Sequence, residues 1–301
     1  MIVTMKGPAT MFSGFGKVFL GLADRLRSRF ETEILALNNR VPDGYPLPIT
    51  QVPNNRLFGV LFGYPYELSQ LPTEYRVLFT MYEASDIPEE WKNRIRDPDE
   101  VWVPTTFCAE VFGTYRRVRV VPVGFEDRTY FRKPWSSDER EAFWRRVLPE
   151  AVGKRVIGTA GVMSNRKGID LLIRAWELAE LKDAVLVVKT RETRGTIGAA
   201  RNTFVLDDDW PDAQMADFYR SCDLIVCPSR GEGLGLIPLE AAACGTPALV
   251  TRASGPADYI DDRGIYGLEV RGQTLASGMS AKMSSLSSLK PFSSYYSCSV
   301  T

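Results

Sequence analysis

Short apolar runs alternate with amphipathic stretches along almost all of this 301-residue chain, and that alternation limits the fold more than any single motif. It is the pattern of open parallel sheets with helices on both faces. In the first half the runs at 2–5, 33–37, 76–80, 100–103 and 118–121 read as strands, and 17–30, 89–96 and 107–115 as helices. In the second half the strands read 155–159, 184–189, 202–206, 223–227, 247–250 and 265–268, and the helices 168–180, 212–221, 238–244 and 256–260. The expected class is α/β, with two Rossmann-like domains whose parallel sheets face each other across a cleft. Ligands sit at the carboxyl ends of such strands. Residues 1–130 form the expected first domain and 131–270 the second, with the charged segment 125–149 as their connection. A tail follows at 271–301, where ten residues are serine; its composition buries little apolar surface and predicts poor order.

Lys plus Arg and Asp plus Glu both number 37, so no global field points to nucleic acid as a partner. No apolar run approaches the roughly 20 residues that span a bilayer, and the start lacks a signal-peptide pattern. Five cysteines without metal-ligand spacing read as thiols in a reducing compartment, and a cytoplasmic location is expected. The chain contains no histidine. That removes Ser-His-Asp and Cys-His nucleophiles, a histidine base, and histidine-ligated metals.

The most specific stretch runs from Ser229 to Thr251. An apolar run ends at Pro228, and then Gly231, Gly233 and Gly235 allow a ligand to approach backbone. Pro238 suits a first helical turn and Gly245 a helix stop. A strand, a glycine loop and a helix start together favour phosphate. Glu232 and Glu240 bracket the loop, and carboxylates accept hydrogen bonds from vicinal hydroxyls. Phosphate with hydroxyls points to a nucleotide sugar.

At these residues the chain resembles retaining glycosyltransferases of GT-B fold, glycosyltransferase family 4, whose signature is two glutamates separated by seven residues. The strand, basic loop and helix at 158–176 and the lead-in at 217–229 also resemble that family. The resemblance implies hexosyl transfer from a UDP- or GDP-linked donor to a glycan, lipid or other hydroxyl acceptor. It implies no metal and no other cofactor. In the mechanism usually proposed for such enzymes, the departing phosphate oxygen takes the acceptor's proton. Lys167 would stabilise the diphosphate. The family usually carries an arginine where Val162 stands, so Arg166 is assigned that role. Glu232 would contact the transferred sugar or its phosphate, Glu240 the ribose hydroxyls, and the backbone of Gly233, Leu234, Gly235 and Leu236 the sugar and diphosphate. In the first domain Gly14 and Gly16 resemble the glycine loop near acceptor and phosphate, and Glu83 or Asp86 would orient the acceptor.

Each assignment has a plainer counterpart. Lys167 could be a solvated lysine, Glu240 a favourable acid in a first helical turn, Gly14 and Gly16 a tight turn, and Asp86 a helix cap. The basic side chains Lys17, Arg25, Arg27 and Arg29 fit either a helix packed on its sheet or a peripheral membrane contact. Asp207 to Asp209 resemble a metal-binding aspartate motif, but an acidic loop before a helix is the preferred reading. A glycoside hydrolase is disfavoured: eight helical residues span roughly 12 Å, against roughly 5–5.5 Å between the carboxyl groups of retaining hydrolases. Val162 and the serine-rich tail leave a non-catalytic or truncated nucleotide-sugar-binding protein as the alternative.

Overall fold

The computed structural model describes residues 2–8, 13–37, 56–125, 127–191, 200–275 and 296–300. The chain divides into two compact units. One holds Met1–Tyr82 and Asp86–Phe125, the other Glu83–Ser85 and Glu126–Thr301. Among the described residues no helix is long and apolar enough to cross a membrane.

The first unit is built from β1 (Ile2–Gly7), α1 (Gly14–Arg27), β2 (Glu31–Ala36), β3 (Arg56–Phe62), β4 (Thr73–Phe79), α2 (Glu89–Arg94), β5 (Glu100–Val103), α3 (Thr106–Gly113) and β6 (Arg119–Val120). Every pairing is parallel, in the order β2-β1-β3-β4-β5-β6. Helix α1 starts where the Ser13 hydroxyl accepts the Gly16 amide at 3.0 Å, the usual N-cap chemistry. Its buried residues Gly16, Phe19, Leu20 and Ala23 recur at helical spacing, and Arg25 and Arg27 close its last turn. The sequence reading places no strand at β3. There Gly59 interrupts the apolar run because a Cβ would lie 2.6 Å from the Thr73 side chain on the neighbouring strand.

The second unit contains α4 (Ser137–Val147), β7 (Arg155–Ala160), α5 (Ile169–Ala179), β8 (Ala184–Thr190), β9 (Thr203–Asp207), α6 (Asp212–Ser221), β10 (Leu224–Cys227), α7 (Leu236–Ala243), β11 (Ala248–Thr251) and β12 (Ile265–Leu268). The sheet is again wholly parallel, ordered β12-β11-β10-β7-β8-β9. Counted within the unit this is 3-2-1-4-5-6, the Rossmann order, and its direction reverses between β7 and β10. Strand β8 is buried at every position, as a strand covered on both faces must be. After β12, β13 (Val270–Leu275) pairs antiparallel with β14 (Tyr296–Val300); the rest of the expected tail lies outside the described residues.

Three expectations change here. Residues 125–149 are not merely a connection, because α4 forms within them on a capping box between Ser136 and Glu139. Trp144 Nε1 and Arg140 Nη2 then donate to the Ser221 carbonyl at 3.1 and 3.0 Å, fastening α4 to the end of α6. Helix α7 begins at Leu236 rather than 238, because Gly235 turns the chain at φ 83°. The segment at 256–260 is a 3₁₀ turn, Gly255–Tyr259.

Candidate functional site

Strands β7 and β10 pair with each other, and the loops leaving their carboxyl ends meet at the reversal point of the second sheet. From β7 the chain passes Gly161 at φ 136°, makes a 3₁₀ turn at Asn165–Lys167, and enters α5 through Gly168 at φ 66°. A Cβ on Gly168 would stand 2.0 Å from the Pro228 carbonyl. Backbone therefore touches backbone across the two loops, and only glycine fits. The Arg230 amide seals the contact by donating to the Arg166 carbonyl at 2.7 Å.

That contact brings four charged groups together. Lys167 Nζ donates to Glu232 Oε1 at 2.6 Å, and Arg166 Nη1 lies 2.9 Å from Glu232 Oε2. The same Nη1 donates to the Gly231 carbonyl at 2.8 Å. Arg166 Nη2 is 3.7 Å from Glu83 Oε1. Burial of Glu232 would raise its pKa, yet the Lys167 and Arg166 charges, with hydrogen bonds from Lys167 and Ser229, hold it at about 2. At neutral pH Glu232 is thus a carboxylate that accepts hydrogen bonds, not an acid that can give up a proton. Glu83 behaves oppositely: burial pushes it above the usual carboxylate range, against the pull of Arg166.

Glu240 belongs to the same end of the sheet. It is the fifth residue of α7 and is buried, and its Oε2 accepts the Tyr219 hydroxyl at 2.9 Å. Cys227, the last residue of β10, reports on all three groups. Burial pushes its thiol up to about 12, with Lys167 opposing and Glu232 and Glu240 adding to the rise.

Gly233, Leu234, Gly235 and Leu236 connect the cluster to α7. Tyr259 holds this stretch by donating its hydroxyl to the Gly235 carbonyl at 2.8 Å, and Leu234 is buried. Gly14 and Gly16 lie in the first unit, in the first turn of α1. Glu83, expected to orient the acceptor, stands beside Arg166. Asp86 does not cap α2, whose N-cap is Pro88. Its carboxylate accepts the Tyr115 hydroxyl at 2.6 Å and pairs with Lys92 at 3.1 Å. Asp209 Oδ1 is 3.3 Å from Arg191 Nε, and among the described residues no acidic, cysteine or histidine cluster is arranged to hold a metal ion.

Sequence reasoning missed the residues that brace the cluster. Ser229 donates its hydroxyl to Glu232 Oε1 at 2.8 Å, and the Glu232 amide donates to Ser254 Oγ at 3.1 Å. Arg230, only 8 % exposed, forks onto Asp170 at 2.7 and 2.6 Å and also donates to the Asn165 carbonyl. Lys189, at the carboxyl end of β8, is 3 % exposed. It donates to the Thr190 carbonyl at 2.8 Å and to the Asp208 carbonyl, and stands 4.8 Å from the Trp210 ring. Ser229 sits inside the glycine motif and was findable there; Arg230–Asp170 and Lys189–Trp210 are tertiary pairs with no local signal.

Residues 140–285 match the model of the family described as Glycosyl transferases group 1. A D-inositol 3-phosphate glycosyltransferase of Corynebacterium jeikeium is 31 % identical over 173 residues, 52 % of this chain and 40 % of that protein. One from Acidothermus cellulolyticus is 27 % identical over 219 residues, 62 % of this chain and 47 % of that protein. The chain thus spans less than half the length of these curated relatives. Among solved structures, Anabaena Alr3699/HepE in complex with UDP and glucose superposes with a TM-score of 0.68 at 14 % identity, covering 90 % of this chain and 85 % of that one. WaaG, a glycosyltransferase involved in lipopolysaccharide biosynthesis, gives 0.61 at 17 % identity, with 89 % and 86 % covered. The structural likenesses carry the fold, an α/β chain of two parallel-sheet units like those of GT-B glycosyltransferases. The family-model match includes Arg166, Lys167 and Glu232 of the charged cluster, and that segment is similar to the group 1 glycosyl transferases.

Proposed function

We propose that the protein is a retaining glycosyltransferase of family 4 type. It moves a hexosyl unit from a UDP- or GDP-linked sugar to a glycan, lipid or other hydroxyl acceptor, without a metal ion. The observation that carries this reading is the salt-bridged cluster of Lys167, Arg166 and Glu232 at the reversal point of a Rossmann-ordered sheet. Two cations at the mouth of parallel strands suit a diphosphate, and such charges are most effective where the leaving group develops negative charge. HepE, whose structure contains UDP and glucose, supports the choice of ligand class by fold.

The roles follow from the charges. Lys167 and Arg166 hold the diphosphate and stabilise it as the glycosidic bond breaks. With a pKa of about 2, Glu232 stays ionised and accepts hydrogen bonds from sugar hydroxyls. The same carboxylate cannot serve as the protonated acid of a hydrolase. Glu240, steadied by Tyr219, accepts from the ribose. Proton transfer from the acceptor is left to the departing phosphate oxygen, which agrees with a chain lacking histidine.

The test is ligand-dependent stability. A nucleoside diphosphate at 100 times its Kd stabilises the folded state by about 2.7 kcal/mol, so UDP or GDP should raise the melting temperature. Absence of a shift with every nucleoside diphosphate and nucleotide sugar overturns the reading. Release of nucleoside diphosphate from donor in the presence of acceptor distinguishes turnover from binding alone.

A further inference from the structure

We propose that Phe15, Tyr64 and Tyr66, at the mouth of the first sheet, form a platform on which a sugar ring of the acceptor stacks. In the order β2-β1-β3-β4-β5-β6 the direction of the first sheet reverses between β1 and β3, and ligands collect at such reversals. Phe15 lies in the first turn of the helix that follows β1, and Tyr64 and Tyr66 follow β3. Their rings form one continuous run. Phe15 and Tyr64 stack with centroids 6.1 Å apart and planes 14° apart, and Tyr64 and Tyr66 stack at 5.5 Å and 24°. Phe62 supports Phe15 at 4.5 Å, and Trp91 supports Tyr64 at 5.2 Å. Tyr64 remains 40 % and Tyr66 37 % exposed. An aromatic run that is packed from below and open at its outer rings has fixed geometry and accessible faces.

Polar groups adjoin it. The Glu67 carboxylate accepts the Tyr64 amide at 2.8 Å and lies 2.5 Å from where a Cβ on Gly63 would stand. Burial pushes Glu67 up, with Lys6 opposing, and pulls Lys6 down, with Glu67 opposing. Aromatic faces are the negative pole of the ring quadrupole, and the C–H face of a pyranose is weakly positive. The ring hydroxyls then meet the Glu67 carboxylate, which accepts their hydrogen bonds. An acyl chain would have no use for that carboxylate.

That the bound ring belongs to the acceptor rests on the transferase reading; that a sugar ring binds here does not. The test uses equilibrium dialysis to follow binding of methyl glycopyranosides of glucose, galactose, mannose and N-acetylglucosamine to wild-type protein, Tyr64→Ala and Tyr66→Ala. Saturation by at least one glycoside is expected in wild type. It should weaken about tenfold in Tyr64→Ala, with the melting shift produced by UDP or GDP unchanged. Tyr66→Ala, at the exposed edge of the stack, gives the same reading if circular dichroism shows Tyr64→Ala misfolded. No saturation by any glycoside, or equal saturation in both variants and wild type, overturns the platform. Binding of uridine or of octyl chains alone, lost in the variants, also overturns it, in favour of a base or a lipid. Failure of the transferase reading looks different: the glycoside titration persists while no nucleotide shifts the melt.

Discussion

The mouths of the two sheets use the same topological device for different chemistry. Both lie where strand order reverses, β7/β10 in the second unit and β1/β3 in the first. In the second, glycine contacts press two loops together and four charges converge, with Glu232 only 9 % exposed. In the first, stacked aromatic rings stand half-exposed with the Glu67 carboxylate beside them. Architecture chooses the place; the loop residues choose what binds there. The comparison predicts that changes in the second mouth act on donor diphosphate and on folding together, whereas changes in the first act on a second ligand alone.

The largest effect should come from Lys167→Ala. Removing one preorganised charge from a transition state costs about 10²–10³ in kcat. Because Arg166 still pairs with Glu232 at 2.9 Å, the variant should keep its fold, but with the 2.6 Å Lys167 contact to the buried carboxylate gone it should melt below wild type. Steady-state transfer and a melting curve check both halves. Unchanged kcat would remove Lys167 from the chemistry and leave the second mouth a structural salt bridge.

Gly168→Ala tests whether the loop contact itself is required. At φ 66° an L-residue costs roughly 1–2 kcal/mol. The added Cβ would also meet the Pro228 carbonyl at 2.0 Å, and forcing extra volume into packed structure costs about 1–3 kcal/mol. A total near 3 kcal/mol lowers Tm by roughly 6–12 °C for a domain of this size. Since Gly168 adjoins Lys167, donor affinity should fall as well. A variant with wild-type Tm would show that the loops part without cost.

Much of this mouth was legible because its parts are close in sequence. Glu232, the three glycines and Glu240 lie within one short stretch, and Lys167 adjoins the glycine that opens α5. The positions of most strands were legible too, since buried parallel strands are continuous apolar runs. What escaped was set by distant partners. Glu240 is fixed by Tyr219, 21 residues away, and Arg230 by Asp170, 60 residues away. Helix α4 was obscured by its charged surface, as only Phe143 and Trp144 are buried, although its Ser136–Glu139 capping box was visible. The first mouth was read through Gly14 and Gly16 while its aromatic residues went unnoticed, because their stacking joins segments on separate strands.

Acid sharpens the contrast between the mouths. The Glu232 pKa is about 2 in the folded protein against the usual 4.5, so folding is favoured by its ionised form. That contribution, of order 3 kcal/mol, is fully present above pH 4.5 and is lost as pH falls through 2. Glu83, held high by burial, shifts stability the other way as it protonates. Asp261 is also held at about 2, by amides of Gly264, Ile265 and Arg263, so acid lability alone does not identify Glu232. Denaturant titrations of wild type and Glu232→Gln between pH 6 and the acid limit isolate it. The variant should start less stable and lose less. Parallel curves would mean that Lys167 and Arg166 do not hold this carboxylate in solution.

The smallest effect lies on the first unit and has the opposite sign. Gly21 is exposed in the middle of α1, and a Cβ there meets no atom within 4 Å. Nothing in its backbone requires glycine, in contrast to Gly168. Gly21→Ala should therefore stabilise the protein by roughly 0.5–1 kcal/mol through helix propensity. Because the apolar face of α1 is already buried, the gain should leave nucleotide shifts and glycoside titrations where they were. A destabilised variant would show that the exposed face of α1 is covered in solution, and would favour the basic side chains Arg25 and Arg27 as part of a contact surface over a helix that only packs on its sheet.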